Sequence, residues 1–234
     1  MPKRMLQPIL ISAVVAITAL GATAALADSL RMIAPLAGTL NVPVVSMKEA
    51  RFSSTLRQQY DFSCGSAAVA TLLTHHYGQT VSEAEVFQVM FANGNRDKIR
   101  ADGFSMLDMK RYLDARGFPT IGIEASLDKL LEAKVPAITL INENGYSHFV
   151  VIKGVRADEV VIGDPATGTR VLERARFESF RVNEILLVVN ERLDLARFNL
   201  ATDWRVRPKA PLADPGNRNL ADLQLLRRAS IVDF

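Results

Sequence analysis

In this 234-residue chain the residue best placed for chemistry is its one cysteine, Cys64. A thiol attacks carbonyls once it has lost its proton. That happens when a base removes the proton, or when backbone N–H groups and the positive end of a helix dipole stabilise the thiolate. Cys64 stands just ahead of Ala67, Ala68, Ala70, Leu72 and Leu73, a helix-favouring run that Gly78 stops. The spacing predicts a helix from Cys64 to Tyr77 with the cysteine at its start, and Gly65 is expected to leave room for a substrate backbone. The competing reading is a small buried hydrophobe, a common role of free cysteine.

A nucleophile needs a base, and the chain has three histidines, His75, His76 and His148. His75 and His76 lie eleven and twelve residues along the cysteine's own helix, roughly 16–18 Å away at 1.5 Å per residue. They are read as partly exposed residues near a helix end. His148 instead opens an apolar, strand-like run, where a rigid sheet could carry it opposite the cysteine helix. A base of this kind is oriented by a third group. If Val150–Val155 and Glu159–Gly163 form a hairpin, His148 and Asp164 come out at the same end, each eight residues from Arg156. Asp158 falls at the other end of the hairpin, and Asp61 is the remaining competitor. The developing oxyanion needs donors. The Cys64 N–H is one, and the side-chain amides of Gln58 and Gln59, just upstream, are both available as the other.

The elements that must position these groups follow from pattern. Ser82 to Glu85 reads as a capping box for a helix reaching about Phe91. A polar loop follows over Asn93–Asp97, and Ser105 caps a helix that runs to Arg116 and ends at Gly117. Strand character begins at Pro119–Ile123. It resumes, after a short helix Leu127–Ala133, in Ala137–Ile141, Phe149–Val155, Glu159–Gly163, Thr169–Leu172 and Ile185–Val189. Asn144-Gly145 supplies the positive φ of a tight hairpin. Helices first and an antiparallel sheet afterwards make an α+β domain, expected over residues 51–190. Residues 28–50 form an N-terminal extension with an extended piece at Leu40–Val45. Residues 191–234 form a proline-bearing tail with an amphipathic stretch at Leu220–Arg228.

Residues 1–27 read as a cleaved secretory signal: Lys3 and Arg4, an apolar run from Ile9 to Ala25, and the small residues of Ala25-Leu26-Ala27 before Asp28. The expected cut follows Ala27, the expected compartment is the periplasm, and the membrane is met only through this segment. A net charge of +3 gives no reason to expect a nucleic-acid partner. One cysteine forms no internal disulfide, and no ligand-like spacing links the histidines, so neither a metal nor another cofactor is expected.

The stretches Arg57-Gln58-Gln59-Tyr60-Asp61-Phe62-Ser63-Cys64-Gly65-Ser66-Ala67-Ala68, His148-Phe149-Val150-Val151 and Asp164-Pro165-Ala166-Thr167-Gly168 together resemble the C39 peptidase family. These are papain-like cysteine peptidase domains that cut bacteriocin and related leader peptides after a double glycine. The resemblance implies a papain-like fold with N-terminal helices on the sheet. It implies Cys64 as nucleophile, His148 as general base and Asp164 as its partner. It also implies an oxyanion glutamine six residues before the cysteine, which selects Gln58 over Gln59. Ser63 departs from the aspartate often found before the family's cysteine. With neither a transmembrane bundle nor a nucleotide-binding motif, the chain is similar to the stand-alone exported type, some of which accompany secretion of functional amyloid. The expected function is an exported cysteine endopeptidase acting on a leader or secretion-system component. The rivals are a binding or chaperone module for such a partner and a transglutaminase-like acyl transferase.

Overall fold

The computed structural model describes residues 29–34, 38–43 and 46–206. The expected signal segment and the stretch Leu220–Arg228 lie outside the described residues. Two units are separately compact, divided after Val45. In the first, strand β1 (Ser29–Ala34) pairs antiparallel with β2 (Gly38–Pro43), so the part of the expected extended piece that is described, Leu40 to Pro43, lies in the second strand of the pair. The second unit begins at Ser46, earlier than the expected Arg51, with helix α1 (Met47–Arg51).

The helical layer contains α2 (Cys64–Thr71), α3 (Glu83–Asn93), α4 (Arg96–Asp102) and α5 (Met106–Ala115). Every residue of α2 is buried. Its small side chains therefore show no apolar stripe, as expected of a helix covered on all sides. It continues into a π-helical turn, Leu72–His76, before Gly78 stops it at φ +69°. Ser82 caps α3 through the Glu85 N–H, but the Glu85 carboxylate goes to Arg116 rather than back to the cap. The reciprocal capping box is at α5, between Ser105 and Asp108. The expected polar loop at Asn93–Asp97 instead launches α4, capped by Asn95. Only Ile99 of α4 is buried, which leaves little apolar signal in its sequence.

A six-stranded antiparallel sheet follows: β3 (Thr120–Glu124), β4 (Ala137–Glu143), β5 (Tyr146–Val155), β6 (Glu159–Asp164), β7 (Gly168–Glu173) and β8 (Arg181–Val189), in the spatial order β3-β8-β4-β5-β6-β7. Helix α6 (Leu127–Ala133) and the unanticipated α7 (Arg174–Phe180) complete the unit. Phe149 and Val151 of β5 join the core under α2, α3 and α5, whereas Val150 and Ile152 join the core under α6 and Phe177. The α+β architecture is the expected one.

The first part of the expected tail, residues 191–206, is packed. Residues 191–206 return to the sheet and end in α8 (Ala201–Trp204). Arg197 donates its N–H to the His76 carbonyl at 2.9 Å, and Asn199 donates its N–H to the Lys153 carbonyl at 2.9 Å. Lys153 and Asp203, at 0% and 1% side-chain exposure, form an ion pair of 2.6 Å, and the ammonium also donates to Ser54. Gly154 admits this strap: a Cβ there would collide with the Asn199 side chain and lie 3.1 Å from the Asn199 Cα.

Candidate active site

Cys64 is the first residue of α2, and Ser63, at the cap position, makes no side-chain bond to the helix N–H groups. Its hydroxyl turns back to the Tyr60 carbonyl. The first N–H groups of α2 are thus left for the sulfur. Burial pushes the thiol's pKa up, the N–H groups of Phe149, Gly65 and Cys64 itself pull it down, and the Asp164 charge adds to the rise. A thiol held protonated in this way needs a base at the moment of attack. Gly65 has a packing role that the sequence did not suggest. A Cβ there would stand 2.9 Å from the Phe104 Cβ, so the glycine lets α2 close onto its neighbouring chain.

The Phe149 N–H reaches Cys64 where β5 is open on its β6 side: pairing with β6 stops at Val151 and Gly163, while β4 still faces Phe149 through Leu140. His148, the next residue, is buried at 3% exposure. Its Nε2 meets Asp164 Oδ2 at 3.2 Å. An ionised carboxylate only accepts, so in the neutral ring Nε2 carries the proton and Nδ1 presents its lone pair. Nδ1 is buried and has no hydrogen-bond partner. No hydrogen bond joins Cys64 to His148 among the described residues.

Register explains how histidine and aspartate meet. Near the hairpin tip Val155 faces Val160 and Gly154 faces Val161, but beyond Lys153 the pairs become Ile152 with Ile162 and Val151 with Gly163. Lys153 is the extra residue of a β-bulge. A one-residue slip moves side chains to the opposite face. Continued from the tip, the register would set Asp164 across from Val151, on the face away from His148. Continued one step past the last facing pair, the register after the bulge sets it across from Val150, diagonal to His148 on the same face and within reach. The even count about Arg156 thus predicts the contact but not the register that makes it.

Asp164 is held on all sides. Its Oδ1 accepts from the N–H groups of Ala166 at 2.8 Å and Thr167 at 3.3 Å, and its Oδ2 also takes Arg170 at 3.0 Å. Burial alone would raise its pKa, but the bond and charge of His148, the Arg170 charge and the Ala166 N–H bring it down to about 2. Arg170 continues to Glu143 at 2.9 Å. Tyr146, 48% exposed, stacks on the His148 ring with centroids 5.0 Å apart. The residue-type reading missed both Arg170 and Tyr146. Each sits in register with the site, Arg170 opposite Ile162 and Tyr146 two residues before His148, but only pairing reveals that.

Gln58 is tied to the same corner. Its N–H donates to the Pro165 carbonyl at 3.1 Å, next to Asp164. Its side-chain nitrogen donates to the Tyr60 carbonyl at 3.2 Å and its oxygen is buried without a partner. Gln59 is exposed. Asp61, the competing carboxylate, makes no contact with His148 in the ring and hydrogen-bond network described. The reading of His75 and His76 as partly exposed holds for His75 only. His76 is fully buried, with Nδ1 donating to the Arg197 carbonyl at 2.6 Å.

A model of the peptidase C39 family matches residues 53–192. A protein of Pseudomonas fluorescens called probable functional amyloid protease FapD is 38% identical over 191 residues, or 82% of this chain and 81% of that protein. Its namesake in Pseudomonas aeruginosa is 42% identical over 134 residues, 57% of this chain and 59% of the relative. The solved peptidase domain of Streptococcus ComA, a bifunctional ABC transporter, aligns with 57% of this chain and 95% of its own, at 22% identity and a TM-score of 0.49.

Proposed function

The chain belongs to the peptidase C39 family, and we propose that it is an exported cysteine endopeptidase working through Cys64, His148, Asp164 and Gln58. His148 Nδ1 takes the Cys64 proton as the sulfur attacks a peptide carbonyl. The oxyanion rests on the Cys64 N–H and the Gln58 amide, whose nitrogen has a second N–H beyond the one given to Tyr60. The imidazolium then protonates the leaving amine, and water, deprotonated by the same ring, cleaves the thioester and restores the thiol. Asp164 keeps the proton on Nε2 and the lone pair on Nδ1.

The observation that carries this reading is the buried 3.2 Å bond between His148 Nε2 and Asp164 Oδ2, which leaves Nδ1 unpartnered one residue from the amide that touches the thiol. The substrate we propose is an extended segment of an exported protein, a leader or a component of a functional-amyloid secretion system. Support for the amyloid class comes from the names of the two Pseudomonas relatives. Support for export to the periplasm comes from the charge, apolar run and small residues of positions 1–27. The test compares the termini of exported proteins by mass spectrometry in cells carrying wild type or Cys64→Ala. We expect at least one exported protein to keep its uncut form in the variant. Identical termini throughout would sink the proposal.

A further inference from the structure

Among the described residues, Arg170 is the one cation that shares an oxygen with His148. Asp164 Oδ2 accepts His148 Nε2 at 3.2 Å and Arg170 Nη2 at 3.0 Å, and the same Nη2 reaches Glu143 Oε2 at 2.9 Å. These groups come from four adjoining strands, β4 to β7, and the Arg170 and Glu143 side chains are only 19% and 18% exposed. Solvent screening is therefore weak, and a charge this close acts on the pair with little loss. The other charged or titratable groups around the pair are Cys64 of α2, Tyr146 of β5, Asp61 through its effect on Tyr146, and Arg176 of α7, 3.8 Å from Glu143. None of them touches the oxygen that His148 uses.

Building on the catalytic reading above, we propose that Arg170 is a positioning residue that sets the pH at which the His148–Asp164 pair becomes an effective base, with Glu143 moderating its charge. Two effects run in the same direction. Arg170 offsets the Asp164 charge that would favour a protonated imidazole, and its positive charge favours a thiolate nearby. Removing it leaves the Asp164 charge beside the ring unopposed and makes the thiolate harder to form. Both move the acid limb of thiol reactivity upward. Glu143→Gln leaves Arg170 less neutralised and moves that limb downward.

The test needs no natural substrate. Iodoacetamide alkylation of Cys64, the chain's one thiol, is followed against pH for wild type, Arg170→Met, Arg170→Lys, Glu143→Gln and His148→Ala, with folding checked by circular dichroism. The wild type shows an acid limb that His148→Ala abolishes. Arg170→Met raises the limb by about one pH unit, Arg170→Lys returns most of the shift, and Glu143→Gln lowers the limb. A purely structural Arg170 would change the amount of folded protein but not the position of the limb. Folded Arg170→Met with the wild-type limb overturns the proposal. Should Arg170→Met not fold, an unmoved limb in Glu143→Gln overturns it. A wild-type profile that His148→Ala leaves intact overturns the Cys64–His148 reading and this one with it.

Discussion

Asp164 takes hydrogen bonds from two backbone N–H groups, a histidine and an arginine while almost wholly buried. Those bonds favour its ionised form, so its carboxyl titrates near 2 in the fold against about 3.9 in an unfolded chain. A depressed carboxyl contributes stability that is fully present above the unfolded value and is lost as pH falls toward the folded one. Urea unfolding should find wild type losing about 2 kcal/mol from this group between about pH 4 and pH 2. Asp164→Asn should start lower at pH 7 and show a flatter acid slope. Gln58 and Gln59 form a second contrast: Gln58→Ala should cut kcat by about 100-fold with little change in KM. Gln59→Ala, at an exposed position, should cleave the substrate identified with Cys64→Ala at the wild-type rate. Residue types alone were enough to nominate Cys64, His148 and Asp164, because a lone thiol, a strand-start histidine and a turn aspartate stand out against an apolar background. Arg170 does not stand out in a chain with 28 basic residues.

At the scale of elements the bulge at Lys153 is the decisive device, and it has its own support. A bulge residue leaves backbone groups outside the ladder. Here the Lys153 carbonyl is satisfied by the Asn199 N–H and the Val155 carbonyl by the Asn199 side chain. The Lys153 ammonium is buried against Asp203, and burial, the larger influence, lowers its pKa while Asp203 raises it. Asp203→Ala leaves that ammonium without its partner, so denaturation should show a loss of about 3–5 kcal/mol. Replacing both residues with apolar ones, Lys153→Met with Asp203→Leu, should recover most of it. None of this is visible in sequence, where Lys153 sits unannounced inside a valine-rich run. The short helices were hidden for a related reason: α4 and α7 each bury a single large side chain, Ile99 and Phe177, too few for a periodic pattern. The helix that starts at Cys64 was legible because its breaker and its alanines agree.

Across the whole unit from Ser46 onward, the returning strap joins parts that lie far apart in sequence: the π turn at His76, the bulge at Lys153 and the exposed tip, where Arg156 lies 3.8 Å from the Trp204 ring centre. His76 is where this arrangement senses acid. Burial first, and the Lys153 charge after it, bring its pKa from 6.5 to about 4. The unfolded chain takes up this proton near pH 6.5 while the folded one refuses it until about 4. Stability therefore falls across that window and falls no further below it on this account. Thermal unfolding from pH 8 to pH 4 should show Tm declining mainly between those values, and His76→Gln should flatten the decline while starting from a lower Tm. Residues 191–206 pack back on this unit, but their mixed polar sequence shows no period that would announce it.

The bulge also dictates which length changes this hairpin can inherit. Residues added at its tip, around Arg156–Asp158, sit outside the ladder and leave every facing pair in place. A single residue gained or lost between Ile152 and Val155 turns Asp164 away from His148 without altering one side chain of either. Along these strands one residue more or fewer swaps the two faces, and only a second change of the same kind would bring Asp164 back to the side of His148.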